Sequence, residues 1–524
     1  MEKSLWIESA KAKRYSRLEK EENADICIIG GGITGLTCAY YLSKAGKKVV
    51  LLEKNTIGSH TSGNTTGKIT SGHGLIYNYL INSVGEELAK QYLEANEEAI
   101  KNIKKIIEEE NIECDFEETS NYIVTQDEQY VDKIKEEVEA INKLGHKAEF
   151  INNIDIPIKE KENNKTVEEI VGKKEDDIKI KRQILGAVKL NNQAMFNSYK
   201  YMLGLADAIE KNGGIIYETS KVIEVKKEEN YKIRTEEGVV NADFVILASH
   251  YPIINFPGFY FLKMYQETSY LIAAETSKEI FEGMYINAEE PTISLRTAIY
   301  NGKKIFLVGG MTHKTGAKID LKDSYNKLEK IAKSLYPDCK VLFRWSTEDC
   351  VSLDKIPYIG EFSNMMPNLY VATGYKKWGM TTSNVAANII CNKILNKENK
   401  NEEVFNSKRL KPIKNYKELG NLLKEVSYSL VVNKLRDSKE YLKNVEKDEG
   451  KIIEIDNKKV GVYRDKEGNV YAVKPYCTHL GCELSWNNLD RTWDCPCHGS
   501  KFNYEGKNIY DPAIKDLEML NIFD

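Results

Sequence analysis

Two short boxes near the end of the chain, CTHLGC at 477–482 and CPCHGS at 495–500, place four cysteines and two histidines within 22 positions. Cys477 with His479 and Cys495 with His498 supply two thiolates and two imidazoles. That is the donor set of a [2Fe–2S] cluster with one all-cysteine iron and one bis-histidine iron. Fifteen residues lie between His479 and Cys495, enough for a β-hairpin that brings both boxes to one tip. Two neutral imidazoles in place of thiolates leave such a cluster less negative and raise its reduction potential. The alternative is a structural zinc site with mixed Cys/His ligands. C-x-H is not a common zinc spacing, and Gly481, Gly499 and Pro496 suit tight loops whose amides can point at sulfides.

The two boxes resemble the Rieske proteins of cytochrome bc complexes. That resemblance implies a disulfide between Cys482 and Cys497 tying the loops together, and a Ser500 hydroxyl that donates to a bridging sulfide. In a reducing compartment the disulfide must be shielded to persist. High-potential members carry a tyrosine two positions after the serine, where this chain has Phe502. Losing a hydrogen bond to sulfur lowers the potential, so a potential below that of the respiratory proteins is expected. Asp511, Pro512 and Ala513 resemble the family's Gly-Pro-Ala loop, with Asp in place of Gly.

A second chemical signal stands near the start. Residues 25–29 read as a short buried strand, followed by GGGITG and an apolar helix through Leu42. Gly30, Gly32 and Gly35 satisfy G-x-G-x-x-G in the strand-to-helix context that a pyrophosphate needs, and the helix start offers free amides and a positive dipole. A second strand, KKVVLLE, ends on Glu53, 23 residues after Gly30, where a carboxylate can hold a ribose hydroxyl. The bland reading is a glycine turn in an α/β domain with no cofactor. NAD and FAD both suit these residues.

The order of later segments separates them. IGSHTSGNTTGKITSGHG, GGIIYETSKVIEV, VVNADFVILAS, SLDKIPYIG and NLYVATGYKKWGMTTSNVAANII follow in turn. This order is similar to the flavin oxidoreductases related to D-amino acid oxidase, glycine oxidase and sarcosine oxidase, over about residues 20–400. The resemblance implies FAD, with Glu53 on the adenosine ribose and the Val222 backbone on adenine. It puts Thr66, Gly67 and Lys68 near the flavin ring, and Gly374, Gly379, Met380 and Thr381 at its pyrimidine end. His250 stands where the family often has glycine, and Thr381 where sarcosine oxidases have a substrate-binding lysine. Arg296, in ISLRT, and His313, in GGMTHKTG, are the candidate catalytic residues; an ion-paired surface arginine and a loop histidine are the ordinary readings of each. Asp354 is expected to shape the loop before Pro357 rather than act as a base.

With both ends together, TTGKITSGHGLIYNYL and WNNLDRTWDCPCHGSKF resemble bacterial FAD-dependent oxidoreductases with a fused Rieske domain. The resemblance implies hydride transfer from a small substrate, an amine or amino acid, to FAD. Electrons would then pass singly to the cluster and an external acceptor protein. Flow in the reverse direction from an external donor, or redox sensing without turnover, are the alternatives.

These signals call for a particular set of elements. The expected fold is α/β, a Rossmann-type FAD-binding domain with an inserted α+β substrate domain, plus a small all-β Rieske domain. Residues 1–405 form the oxidoreductase, with FAD-binding parts about 20–85, 186–255 and 345–400 and substrate parts about 86–185 and 256–344. Residues 406–448 read as a charged linker with a helix over about 419–445, and 449–524 as the Rieske domain, small enough to need a staple. Apolar residues at Leu88, Tyr92, Ala99, Ile100, Ile103, Ile106 and Ile107 recur with helical period. Segments near 265–275, 292–300 and 304–310 read as strands. The net charge of −4 in 524 residues excludes a nucleic-acid footprint. No run reaches about 18 apolar residues, so no helix is expected to span a membrane. The first 24 residues lack an apolar core, and a cytoplasmic protein is expected.

Overall fold

The computed structural model describes residues 3–152, 154–155, 183–319, 321–409 and 442–522. The helix expected over about 419–445 falls almost wholly outside them.

The first sheet is built on the strand Glu21–Ile29, which runs parallel to Val49–Leu52 on one side and to Val239–Leu247 on the other. Ile26, Cys27, Ile28 and Ile29 are all buried, as a strand covered on both faces requires. The chain turns at Gly30, with φ 113°, into the helix Ile33–Lys44. A Cβ on Gly35 would lie 1.9 Å from the Gly30 carbonyl oxygen, so only glycine lets the helix sit this close to the strand. Tyr358–Ser363 and Met366–Thr373 extend the same sheet and lead to the helix Gly379–Ile394, which packs on Ile33–Lys44.

The second sheet has nine strands. Its order runs Lys340–Ser352, Met264–Glu275, Lys303–Lys314, Ser294–Tyr300, Met284–Asn287, Glu117–Thr125, Gly186–Met195 and Lys68–Ile69, with Glu149–Ile151 beside Gly186–Met195. The strands and the helix Glu86–Glu109 expected from periodicity are present. The expected boundaries shift, however. Gly186–Met195 and most of Lys340–Ser352, assigned from sequence to the FAD-binding parts, belong to this sheet. The chain crosses between sheets inside loops that carry no compositional break.

Residues 406–409, placed from sequence in the linker, are pinned to the first domain. Arg409 donates to both carboxylate oxygens of Asp354 at 2.7 and 2.8 Å, and the Asp354 Oδ1 also accepts from the Ile356 amide. Asp354 therefore shapes this loop, as expected.

The C-terminal domain holds a three-stranded sheet (Glu449–Ile455, Lys458–Arg464, Val470–Val473) and a four-stranded one (Ser485–Asn487, Thr492–Asp494, Lys501–Asn503, Asn508–Tyr510). It docks on the outer face of Met264–Glu275 and Lys340–Ser352, paired antiparallel. Side chains alternate along a strand. Gln266 and Tyr270 face this domain, donating to and accepting from Asp511 and Asn487, and Ser346 donates to Asp490 at 3.0 Å. The centre of the contact is Lys501, fully buried, whose ammonium lies 2.7 Å from Glu348 Oε1, 2.7 Å from Asp490 Oδ2 and 3.7 Å from Asp494 Oδ2. Burial opposes that charge, but Asp490, Asp494 and Glu348 together hold the ammonium well above the usual lysine range.

Removing one member of a buried charge group leaves the others uncompensated, at a cost of about 3–5 kcal/mol. Lys501→Met is therefore expected to lower the unfolding free energy of the C-terminal domain by that amount in urea titration, while Lys466→Met, an exposed control at the domain surface, leaves it within about 0.5 kcal/mol.

Candidate cofactor and substrate sites

A cavity of about 1280 Å³ opens at the carboxyl ends of the first sheet's strands. Gly30, Gly32, Glu53, Val222, Gly374, Gly379 and Met380, seven of the residues singled out from sequence, line it. Two helix starts face it. Ile33–Lys44 begins at Gly32 and Gly379–Ile394 at Trp378, and neither N-cap residue supplies a side-chain cap; the Ile33 amide donates to Ser62 Oγ at 3.1 Å, and the remaining first-turn amides and the dipole are available to an anion. Glu53 is buried at the rim, its Oε2 accepting from the Gly31 amide at 2.7 Å and its Oε1 from Asn55 at 2.8 Å. Two helix starts and a carboxylate around one elongated cavity fit a dinucleotide, with Gly32 and Gly379 toward charged oxygens and Glu53 toward a ribose. Gly35 does not line the cavity; its part is the close helix packing described above.

A second cavity, of about 670 Å³, adjoins the first and shares Thr61, Thr65, Asp349 and Lys377 with it. Thr66 and Lys68 line this second space. Lys68 Nζ donates to the Tyr285 carbonyl at 2.7 Å, and burial pulls its pKa well below the ordinary value. Trp378 forms another wall, stacked on His73 at 4.8 Å, and His73 is fixed by Tyr92 and the Thr70 carbonyl. Gly67 and Thr381 line neither cavity. The Gly67 carbonyl accepts from Arg296, and Thr381 donates to the Thr70 carbonyl at 3.2 Å.

The two candidate catalytic residues lie elsewhere. Arg296 is buried beneath the TTGK loop, donating to the carbonyls of Thr66, Gly67, Phe196 and Thr297 and lying over the Trp6 ring. Its guanidinium is spent on holding that loop, and it lines neither cavity. His313 stacks on Tyr270 at 5.7 Å, on the face toward the C-terminal domain, and burial lowers its pKa to about 4. Alternation turns His313 away from the cavity that Thr312 lines, whereas Arg296 shares a face with the lining Ser294 and is covered by the TTGK loop. The lining residues missed from sequence are Asp349, Lys377 and Trp378; Lys377 and Trp378 immediately precede Gly379 in GYKKWGM, and that adjacency was the available signal.

In the C-terminal domain the two boxes fold alike. The Gly481 amide donates to the Cys477 carbonyl at 2.8 Å and the Gly499 amide to that of Cys495 at 2.9 Å, with φ of 80° and 81° that favour glycine. Cys482 and Cys497 are bonded, S–S 2.10 Å. Cys482, Cys495 and Cys497 offer sulfurs within 4.8 Å of one another, but the disulfide removes two of them as ligands. The available donors are Cys477, Cys495, His479 and His498. The imidazole rings lie 5.0 Å apart, and both Nδ1 atoms are buried without a hydrogen-bond partner among the described residues. His479 Nε2 lies 2.7 Å from Asn255 Oδ1; an amide oxygen only accepts, so the proton sits on Nε2 and Nδ1 keeps its lone pair. Cys477 is lowered by a hydrogen bond from Cys495 and by the His479 and Leu480 amides, the environment of a thiolate ligand. Two orphaned imidazole nitrogens beside two thiols fit a cluster of two irons.

Ser500 Oγ accepts from the Ala513 amide at 3.0 Å, which leaves its proton for a sulfur. Phe502 is fully buried and has no such donor. Phe502→Tyr is expected to raise the cluster potential in a redox titration. One net hydrogen bond of about 1 kcal/mol corresponds to roughly 40 mV for a one-electron couple, and an unchanged potential would remove Phe502 as its cause.

Comparison with known proteins bears on both sites. The family model described as FAD dependent oxidoreductase (DAO) matches residues 25–393, and that of the Rieske [2Fe-2S] domain matches 438–521. The chain is 35% identical over 520 residues to YhfW of Bacillus subtilis, named for a Rieske 2Fe-2S iron-sulfur protein, covering 99% of this chain and 97% of that one. It is 24% identical over 401 residues to gamma-glutamylputrescine oxidoreductase of Escherichia coli, 73% of this chain and 87% of the relative. The fold is like that of glycine oxidase from Geobacillus kaustophilus, with a TM-score of 0.60 at 17% identity over 74% of this chain and 99% of that one. Among the described residues no helix is long and apolar enough to cross a membrane. A glycine-lined dinucleotide cavity beside a two-cysteine, two-histidine site, matched by both family models, makes this chain a member of the DAO family of FAD-dependent oxidoreductases that carries a Rieske [2Fe-2S] domain.

Proposed function

We propose that the protein oxidises a small amine or amino acid in the second cavity by hydride transfer to FAD and passes the electrons one at a time to the Rieske cluster and an external acceptor protein. The observation that carries this reading is that the C-terminal domain forms part of the wall of the FAD cavity. Tyr510, Asp511 and Ile514 line it. Lys54, another lining residue, lies 3.0 Å from Asp511 Oδ1 and donates to the Ile509 carbonyl at 3.1 Å. The Tyr510 ring meets His60 at 5.0 Å. The Asp that replaces glycine in the family's Gly-Pro-Ala loop thus has a partner on the flavin side.

Each residue's part follows from its place. Glu53 and the two helix starts would bind the ribose and pyrophosphate, and Cys477, Cys495, His479 and His498 would hold the irons. FAD supplies a two-electron hydride acceptor and the cluster a one-electron carrier. The protein's work is to hold them on two sides of one wall and to keep that wall closed to water. The shared lining of the two cavities supports a substrate placed against the flavin ring. The printed names of the relatives, an oxidoreductase of gamma-glutamylputrescine and a glycine oxidase, support a nitrogen-bearing substrate. Phe261 lies with its ring 5.9 Å from His498 and 6.5 Å from His479 and covers the cluster's histidine edge. That cover favours exchange with FAD in the docked arrangement.

Anaerobic mixing with a panel of amines and amino acids is expected to bleach the flavin first and then to produce the EPR signal of the reduced cluster. A Cβ on Gly316, at φ 75°, would lie 2.5 Å from the Pro496 nitrogen. Gly316→Ala should therefore loosen the docking and slow the cluster signal relative to bleaching by about tenfold or more, the effect of ~1.4 kcal/mol on a barrier. Equal rates of cluster reduction in both proteins would argue against transfer across this wall.

A further inference from the structure

The second cavity carries a charge arrangement that selects its substrate. Asp349 lines both cavities, at the place where a substrate in one meets a cofactor in the other. In the antiparallel pair it lies directly opposite Glu267, so the two carboxyls share a face. Glu267 has its own cations: Lys377 Nζ is 2.9 Å from its Oε2 and 3.0 Å from Thr312 Oγ1, and Lys314 stands opposite it on the neighbouring strand. The Asp349 carboxyl has no hydrogen bond or ion pair among the described residues, and the residue keeps some exposure.

The other charged groups nearby do not meet this surplus. Glu348, next on the strand, points to the opposite face and is bonded to Lys501. Lys68, across the cavity, is turned to the Tyr285 carbonyl at 2.7 Å, and burial and Arg296 pull it below the usual lysine range. His60, in the first cavity, is lowered to about 3 by burial and stays neutral. No arginine lines either cavity, so there is no bidentate clamp for a carboxylate. Burial pushes the Asp349 carboxyl up to about 7, with Glu267 and Glu348 adding to the rise and Lys377 opposing it. A largely desolvated carboxyl that no side chain pairs is a site for a cation.

We propose that Asp349 is the substrate-binding and proton-accepting residue of the second cavity, and that the substrate is a cationic amine recognised by its ammonium group rather than by a carboxylate. This rests on, and narrows, the reading of the protein as a flavin-linked oxidase of nitrogen compounds. The ammonium N–H gives its proton to the Asp349 carboxylate, which frees the nitrogen lone pair. The adjacent C–H bond then breaks and its electron pair leaves as hydride to FAD, while the lone pair forms the C=N bond. The products are an iminium cation, reduced flavin and protonated Asp349, which returns its proton to water. Water hydrolyses the iminium to a carbonyl compound and the released amine or ammonium.

Binding and chemistry can be tested apart. Tetramethylammonium has no N–H to give up, and its binding can be followed by quenching of tryptophan fluorescence, since Trp378 lines the cavity. The purified FAD-loaded protein is expected to bind it more tightly as pH rises through about 7, and to bind acetate poorly. Asp349→Asn should weaken tetramethylammonium by about tenfold and abolish the pH dependence, whereas Asp349→Glu should keep both. In the anaerobic assay with 1,4-diaminobutane and N-methylbenzylamine, Asp349→Asn should lose the rise of the bleaching rate through about pH 7. Acetate binding in preference to the cation, or cation binding indifferent to Asp349→Asn, would overturn the assignment. If cation binding depends on Asp349 but no amine bleaches the flavin, the cation site stands and amine oxidation is what fails.

Discussion

The structure depends on one pair of strands with two working faces. Met264–Glu275 and Lys340–Ser352 lie antiparallel, and alternation sends Glu267, Ser269, Leu271, Thr347 and Asp349 to one side and Gln266, Tyr270, Ser346 and Glu348 to the other. The first side walls the second cavity and the second carries the Rieske domain. Because the period of a strand is two, a slip of one residue would exchange the faces and lose both functions together.

Such a pair cannot be held by apolar packing alone, since polar groups stand on both faces. Buried polar groups must be paired. On the outer face the pairing comes from Lys501 amid Glu348, Asp490 and Asp494. A buried charge group of this kind is weak evidence for stability but directional. It sets the register of the Rieske domain on the sheet, and Gly499 against Gln266 and Gly316 against Pro496 leave no room for another register. On the inner face the Asp349 carboxyl has no bonded partner among the described residues. The same strands thus pair Glu348 with a buried lysine where a domain docks and leave the Asp349 carboxyl unpaired at the inner cavity.

The Rieske domain closes the FAD cavity from the side as well. Its Asp511 is bound to Lys54 beside the glycine-rich turn, and Asn255 from the flavin domain receives the His479 proton. Both cofactor sites therefore take groups from both domains, the reverse of two modules joined by a linker. The disulfide between Cys482 and Cys497 is buried in the Rieske domain's own core, the shielding that a disulfide needs where thiols are kept reduced.

The Cys/His boxes, the glycine turn with Glu53 and the class of fold were legible from the chain, because each is made by neighbours in sequence. A ligand loop is closed by its own glycine, and a phosphate-binding turn by the helix that follows it. Arg296 and His313 were legible only as residue types. Whether they faced a cavity depended on which strand each paired with, and the sheet turned Arg296 under a loop and His313 toward the other domain. Asp349 gave no signal, since TEDCVS, polar on both faces, shows none of the alternation that marks a half-buried strand. The sequence by itself determined the two redox centres, because their donor sets are local; only the tertiary structure decided what lies between them, because a cavity wall is made by residues hundreds of positions apart.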